Sequence, residues 1–263
     1  MRNVPALLLL HGSGDDGACW GPFVTRLLRE DGLAALQVAT PDAPAHGGRR
    51  AQPGQTIAWP DLLGDALGHV QALADRTSGR IVVGGHSMGA MTALGVAAHR
   101  PDLVAATFLE DPPLFAPLGP PDAATADAEP VDLTEFHEWF SDLQARPLAD
   151  VVAGVRAQHP TWDEAEYEPW ARAKQAVDVA AFAAPALFVH AETAHIIRAA
   201  ATPVVVAAGE PGRGGMLAET AAVDLAALPG WTIHRLPTGH DVRRDAPEQT
   251  ADLLAGLIRT VQT

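Results

Sequence analysis

Apolar residues gather in short runs at positions 4–10, 34–39, 80–84, 104–109, 203–208 and 231–236, and most of these runs are continuous rather than alternating. A strand that is apolar on both faces suits a parallel sheet covered on both sides. Between the runs lie longer stretches with apolar positions at helical spacing, at 22–30, 59–76, 88–99, 217–228 and 246–261. Strand alternating with helix predicts an α/β fold, a mostly parallel sheet of about six strands joined by right-handed crossovers and flanked by helices.

The alternation stops between positions 112 and 202, where no strand pattern is found. Residues 112–130 are rich in Pro, Ala and Asp, as a linker or loop is, and helical spacing follows at 133–146, 148–158, 164–177 and near 184–199. The expected organisation is a core domain of residues 1–111 and 203–263, with a helical insertion at 112–202 after the fourth strand. Phe136, Trp139, Phe140, Trp162, Tyr167 and Trp170 all fall in this insertion, where they either form its own small core or line an apolar pocket.

Composition narrows the class of partner. The chain has 263 residues, 48% of them apolar and 19% charged, which describes a globular protein. A formal charge of −14 without a basic run argues against nucleic acid and against an anionic membrane as partners. There is no apolar run of about 18 residues, so no transmembrane segment is expected. Residues 6–10 lead into His11-Gly12 and not into a small-residue cleavage site, so they read as a strand and not as a signal peptide. The single Cys19 has no partner for an internal disulfide or a zinc site, which suits a cytoplasmic protein and a packing role. The glycine-rich stretch 209–215 lacks both phosphate-loop spacings, so nucleotide binding is discounted. The expected partner is a small-molecule substrate, with no metal or organic cofactor, and oligomeric state has no signature in the sequence.

Gly85-His86-Ser87-Met88-Gly89 stands where the third strand ends and a helix begins. A strand-to-helix turn that sharp brings backbone so close that side chains at its flanks would clash, and glycine on both sides relieves this. Ser87 is thereby a candidate nucleophile. A serine hydroxyl needs a base, most often histidine, and His240 in Thr238-Gly239-His240-Asp241 follows the last strand. In a parallel sheet its loop opens on the same edge as Ser87. A carboxylate should hold the imidazole. Glu210, after the fifth strand, is the first choice by chain order, and Asp111, after the fourth, stays open beside it. Two backbone amides must point at a developing oxyanion, and Met88 and Ser13, the latter in the loop His11-Gly12-Ser13-Gly14, are the candidates.

Taken together, His11-Gly12, the segment Pro41-Asp42-Ala43-Pro44-Ala45-His46-Gly47, the Ser87 elbow, Glu110-Asp111-Pro112 and Gly239-His240 resemble the α/β-hydrolase family over nearly the whole chain. The resemblance implies Ser87 as nucleophile, His240 as base, Met88 and Ser13 as oxyanion donors, and the insertion as a substrate-selecting cap. It departs from the family in two places. The chain enters at what would be the family's third strand, and the usual Gly-x-x-Asp offset for the acid falls on Gly212. The implied activity is a serine hydrolase acting on an ester, lactone or thioester of a small, mainly apolar molecule. Carbon–carbon bond hydrolysis or a lyase or cyclase step with the same Ser-His pair, and a ligand-binding protein with little turnover, stay open as alternatives.

Overall fold

In a computed structural model, which describes residues 6–77, 79–118, 134–181 and 193–262, the expected strands form one parallel sheet of six. They are β1 (Ala6–Leu10), β2 (Val38–Ala39), β3 (Ile81–His86), β4 (Val104–Glu110), β5 (Val204–Ala208) and β6 (Trp231–Arg235), in the order β2-β1-β3-β4-β5-β6. The continuous apolar runs are explained by burial of both faces. Ala6, Leu8 and Leu10 turn toward a core shared with α2 (Trp59–Thr77), α3 (Met88–His99) and α8 (Glu219–Ala226), whereas Leu7 and Leu9 turn toward α1 (Gly21–Leu27) and α10 (Pro247–Thr260). Only β2 falls short of its expected extent. It is an edge strand that pairs through Leu7–Val38 and Leu8–Ala39, while Leu33 and Leu36 ahead of it turn into the core.

The register puts every strand's carboxyl end on one edge. Leu10 lies beside Gly85, Gly85 beside Leu109, and His86 beside Glu110. The loops carrying Ser13, Ser87, Asp111, Glu210 and His240 therefore all leave the sheet on that side.

Between β4 and β5 the described residues hold helices and no strand: α4 (Thr134–Ala145), α5 (Leu148–Gln158), α6 (Glu164–Ala176) and α7 (Thr193–Ala199). They divide into two groups. Leu143, Val151, Val155, Trp162, Tyr167 and Trp170 form a separate small core of α4–α6, whereas Phe136 and Phe140 pack with Met88 and Ile57, and Trp139 remains 44% exposed. The short α7 packs on α3 and puts Ile196 and Ile197 into the main core. Within the segment 112–202, α7 is thus buried against the helical layer of the main core. Residues 119–130 of the expected loop lie outside the described residues. Among the described residues no helix is long and apolar enough to cross a membrane.

The glycines give a direct test of this packing. A Cβ on Gly85 would come within 2.1 Å of the Gly89 carbonyl oxygen, whereas on Gly64 and Gly68 of α2 it would meet nothing within 4 Å. We expect Gly85→Ala to lower unfolding free energy by about 3 kcal/mol, at the top of the range for overpacking, since a backbone neighbour cannot swing aside. Gly64→Ala and Gly68→Ala should each raise it by about 0.5–1 kcal/mol through helix propensity. Urea denaturation midpoints check both.

Candidate active site

Ser87 links β3 to α3 with φ 53° and ψ −118°, a conformation that costs a non-glycine residue on the order of 1–3 kcal/mol. The surroundings hold it there. Its N–H donates to the Glu110 carbonyl at 3.0 Å, and a Cβ on Gly89 would lie 2.1 Å from the Leu10 carbonyl oxygen, so both flanking glycines are required by backbone contact. Met88 and Gly89 open α3, where N–H groups have no carbonyl four residues earlier to bond.

His240 lies in the loop after β6, and its Nδ1–H donates to Asp111 Oδ2 at 2.6 Å. Asp111 itself is fully buried, at φ 41°, with Oδ1 accepting from the Gly209 N–H at 3.1 Å and Oδ2 from the Met216 N–H at 2.8 Å. The structure thereby corrects the first choice made from chain order. Glu210 has its side chain 44% exposed and bound to Arg213 at 2.7 Å, away from His240. The physical reason is that the loop after β5 offers two backbone donors to a carboxylate arriving from β4, whereas Glu210 leaves that loop toward solvent, where its charge needs no desolvation. Burial pulls the His240 imidazole down, but the hydrogen bond and charge of Asp111, helped by Asp241 and Glu110, raise it above its ordinary value.

Residues without a role in the sequence reading brace this pair. His86 donates Nε2–H to the His240 carbonyl at 3.1 Å, with the two rings 4.5 Å apart. Burial, then the neighbouring His240, holds His86 well below the usual histidine range, so it is neutral. Gly12 lies against this same ring and against Ser87, since a Cβ there would come 2.7 Å from His86 Nδ1 and 3.2 Å from Ser87 Cβ. The missing side chain is what lets the loop after β1 touch the elbow.

That loop turns at Ser13-Gly14, closed by the Asp15 N–H to the Gly12 carbonyl at 3.1 Å, with Gly14 at φ 75°. The Gly14 N–H donates to His46 Nε2 at 3.0 Å, and the Ala43 N–H donates to His11 Nε2 at 2.9 Å. Each ring gives its Nδ1–H to a carbonyl, of Pro44 and Gly12 respectively. Both must be neutral to do this, and burial pushes His11 down and His46 down to about 3. The Ser13 amide is left unused by the turn.

Beneath the loops lies a buried ion network. Asp15 accepts from Lys174 of α6 at 2.5 Å and from Arg243 and Arg244 at 2.9 Å each, in the helical turn α9 (Val242–Asp245) that follows His240. Glu110 accepts from the Arg243 backbone N–H at 2.8 Å and its guanidinium at 3.1 Å, and Arg244 also bonds Glu166 at 3.3 Å and Asp241. Burial would raise the Asp15 carboxyl, but Arg244, Lys174 and Arg243 hold it well below the usual carboxylate range. The sequence signal was the adjacent Arg243-Arg244 right after His240 in a chain of only 18 cationic residues. Cys19 is buried with its thiol pushed up to about 12 and lies 3.6 Å from the Pro169 carbonyl, in keeping with packing. A cleft of about 520 Å³ opens beside His240, lined by Gly239, Asp241, Arg213, His159 and Thr161.

Comparison with known proteins gives three kinds of likeness. A family model described as "Alpha/beta hydrolase family" matches residues 7–253. The esterase YjfP of Escherichia coli is 29% identical over 164 residues, a match that spans 56% of this chain and 64% of the length of that curated relative. Among solved structures, a peroxisomal alpha-beta-hydrolase of Saccharomyces cerevisiae superposes with a TM-score of 0.69 at 19% identity, covering 99% of this chain and 78% of the other. A malate-bound thermophilic esterase from Thermogutta terrifontis gives 0.65 at 20% identity, covering 98% and 91%. At such identities the likeness is one of fold.

His11, His46 and His86 should titrate in the opposite sense from His240. An unfolded histidine takes its proton near pH 6.5, so the neutral His11, His46 and His86 contribute stability that is present above about 6.5 and lost as pH falls toward their lower folded values. His240 has the reverse sign, contributing below about 6.5 and losing its contribution as pH rises through its raised value. Imidazole proton NMR checks this. The His240 resonance should move with a midpoint above 6.5, and the other three should remain at their neutral positions there.

Proposed function

The chain belongs to the alpha/beta hydrolase family, and on that premise we propose that it is a serine hydrolase that opens an ester, lactone or thioester of a small, mainly apolar molecule through an acyl-enzyme. The observation that carries this reading is the His240–Asp111 hydrogen bond at 2.6 Å, set on the same sheet edge as the strained Ser87.

The chemistry follows from which nitrogen is committed. With Nδ1–H held by Asp111, His240 has Nε2 free to take the Ser87 proton as Oγ attacks the carbonyl carbon. The Asp111 carboxylate, which two backbone N–H groups also hold in place, stabilises the imidazolium. Negative charge on the substrate oxygen is met by the amides of Met88 and Ser13, each worth roughly 2.7–4 kcal/mol in the transition state. His240 then gives its proton to the leaving group, and water activated by the same nitrogen releases the acid and frees Ser87. Helices α4–α6 form the cap over this edge, with Phe140 against Gly14 and Met88.

A fluorophosphonate followed by intact mass should label the parent and leave Ser87→Ala unlabelled. On a p-nitrophenyl ester, Asp111→Asn should lower kcat/KM by about 10³–10⁴-fold, the scale of losing an imidazole-orienting carboxylate, and Glu210→Gln should change it little. The parent's kcat/KM should rise with pH through a midpoint above 6.5, because only neutral His240 can accept the proton. Absence of labelling in folded parent protein would overturn the reading.

A further inference from the structure

The cap helix α6 reaches into the oxyanion loop through one side chain. Lys174 is buried, with its ammonium 2.5 Å from Asp15 Oδ1, 3.1 Å from the Gly14 carbonyl oxygen and 4.8 Å from the centre of the Trp170 ring. Gly14 and Asp15 directly follow Ser13. The two peptide groups on either side of Gly14 are therefore pinned from two separate elements: the Ser13–Gly14 N–H by His46, and the Gly14–Asp15 carbonyl by Lys174. Phe140 of α4 fills the remaining side, since a Cβ on Gly14 would come within 2.2 Å of its ring. A backbone N–H aimed at an oxyanion is effective only if its peptide plane is fixed beforehand.

We propose that Lys174 is a positioning residue that fixes the Ser13 amide, so that the oxyanion site is complete only when α6 is seated. This rests on the serine-hydrolase reading above. Without Lys174, Asp15 would keep two cations, because Arg243 and Arg244 each bond its other oxygen at 2.9 Å. Lys174 supplies both the bond to Asp15 Oδ1 and the tie to the Gly14 carbonyl, and only the second acts on the backbone of the loop.

The distinction between positioning and mere stabilisation is measurable with Lys174→Met, which keeps an unbranched stem and removes the ammonium, and Lys174→Gln, which keeps a donor. On a p-nitrophenyl ester, Lys174→Met should lower kcat by about tenfold or more with KM within about twofold, as expected when only the transition state loses an interaction. Lys174→Gln should recover part of kcat. Hydrogen exchange should speed up at Gly14 and Asp15 in Lys174→Met and stay unchanged in the β3–α3 elbow. Unchanged kcat in folded Lys174→Met, or a lower Tm with kcat intact, overturns the proposal. Should Lys174→Met not fold, Lys174→Gln decides alone: kcat equal to the parent overturns, a fall in kcat at constant KM supports. Should the parent neither turn over ester nor take the fluorophosphonate, the hydrolase reading fails separately. Exchange then decides, faster at Gly14 and Asp15 supporting the positioning role and unchanged rates overturning it.

Discussion

One buried carboxylate, that of Asp15, ties the loops of the site together. It lies at 2% exposure with three cations on it, and the groups around it, Glu110, Glu166 and Asp241, share two of those cations. Taking such groups out of water costs several kcal/mol per ion, and the cost is offset only when every partner arrives in good geometry. Each partner comes from a different place: the loop after β1, the end of β4, helix α6 and the turn after His240. The network closes only when all four are in register. An arrangement that misplaces one partner leaves a charge buried without its counter-ion, so the network selects the arrangement in which all four elements meet.

That selection bears directly on the chemistry, because the network's members are sequence neighbours of the site's members. Glu110 precedes Asp111, and Arg243 follows His240 by three positions, so the Glu110–Arg243 pair runs alongside the Asp111–His240 hydrogen bond. The guanidinium of Arg243 also lies over Trp20 at 4.3 Å, which anchors it from the side of the β1 loop. The histidine loop is therefore also fixed by a charged contact separate from the Asp111–His240 hydrogen bond.

Neutral histidines complete the frame at the other end. A neutral imidazole can donate through one nitrogen and accept through the other, which no carboxylate or ammonium can do. His11 and His46 use this to bond a carbonyl and an amide each, joining the loop after β1 to the segment 42–48, while Asp42 accepts from Gly17 and Gly48. Their edge-to-face contact, 4.9 Å between ring centres, packs the two braces on one another.

How far each feature could be read from the chain depended on how local its cause is. The six strands were legible because burial on both faces writes continuous apolar runs, and the Ser87 elbow because the clash that demands Gly85 and Gly89 is contained within five residues. His240 was legible by its place after the last strand. The partner of His240 was not, since Asp111 is 129 positions away and its selection over Glu210 required knowing that Gly209 and Met216 turn their N–H groups inward. Nor could periodicity divide the aromatics of 134–176, because Trp170 in a small core and Phe140 against Gly14 both sit on amphipathic helices. The burial of Arg243, Arg244 and Lys174 has no local signature for the same reason: a sequence records that a residue is charged, and only the folded chain brings the carboxylates that let the charge be buried. The sequence by itself determined the layers, the elbow and the order of the loops, which follow from local backbone and burial patterns; the tertiary structure decided which acid meets His240 and how α6 reaches Ser13's neighbours, which follow from pairings across the whole chain.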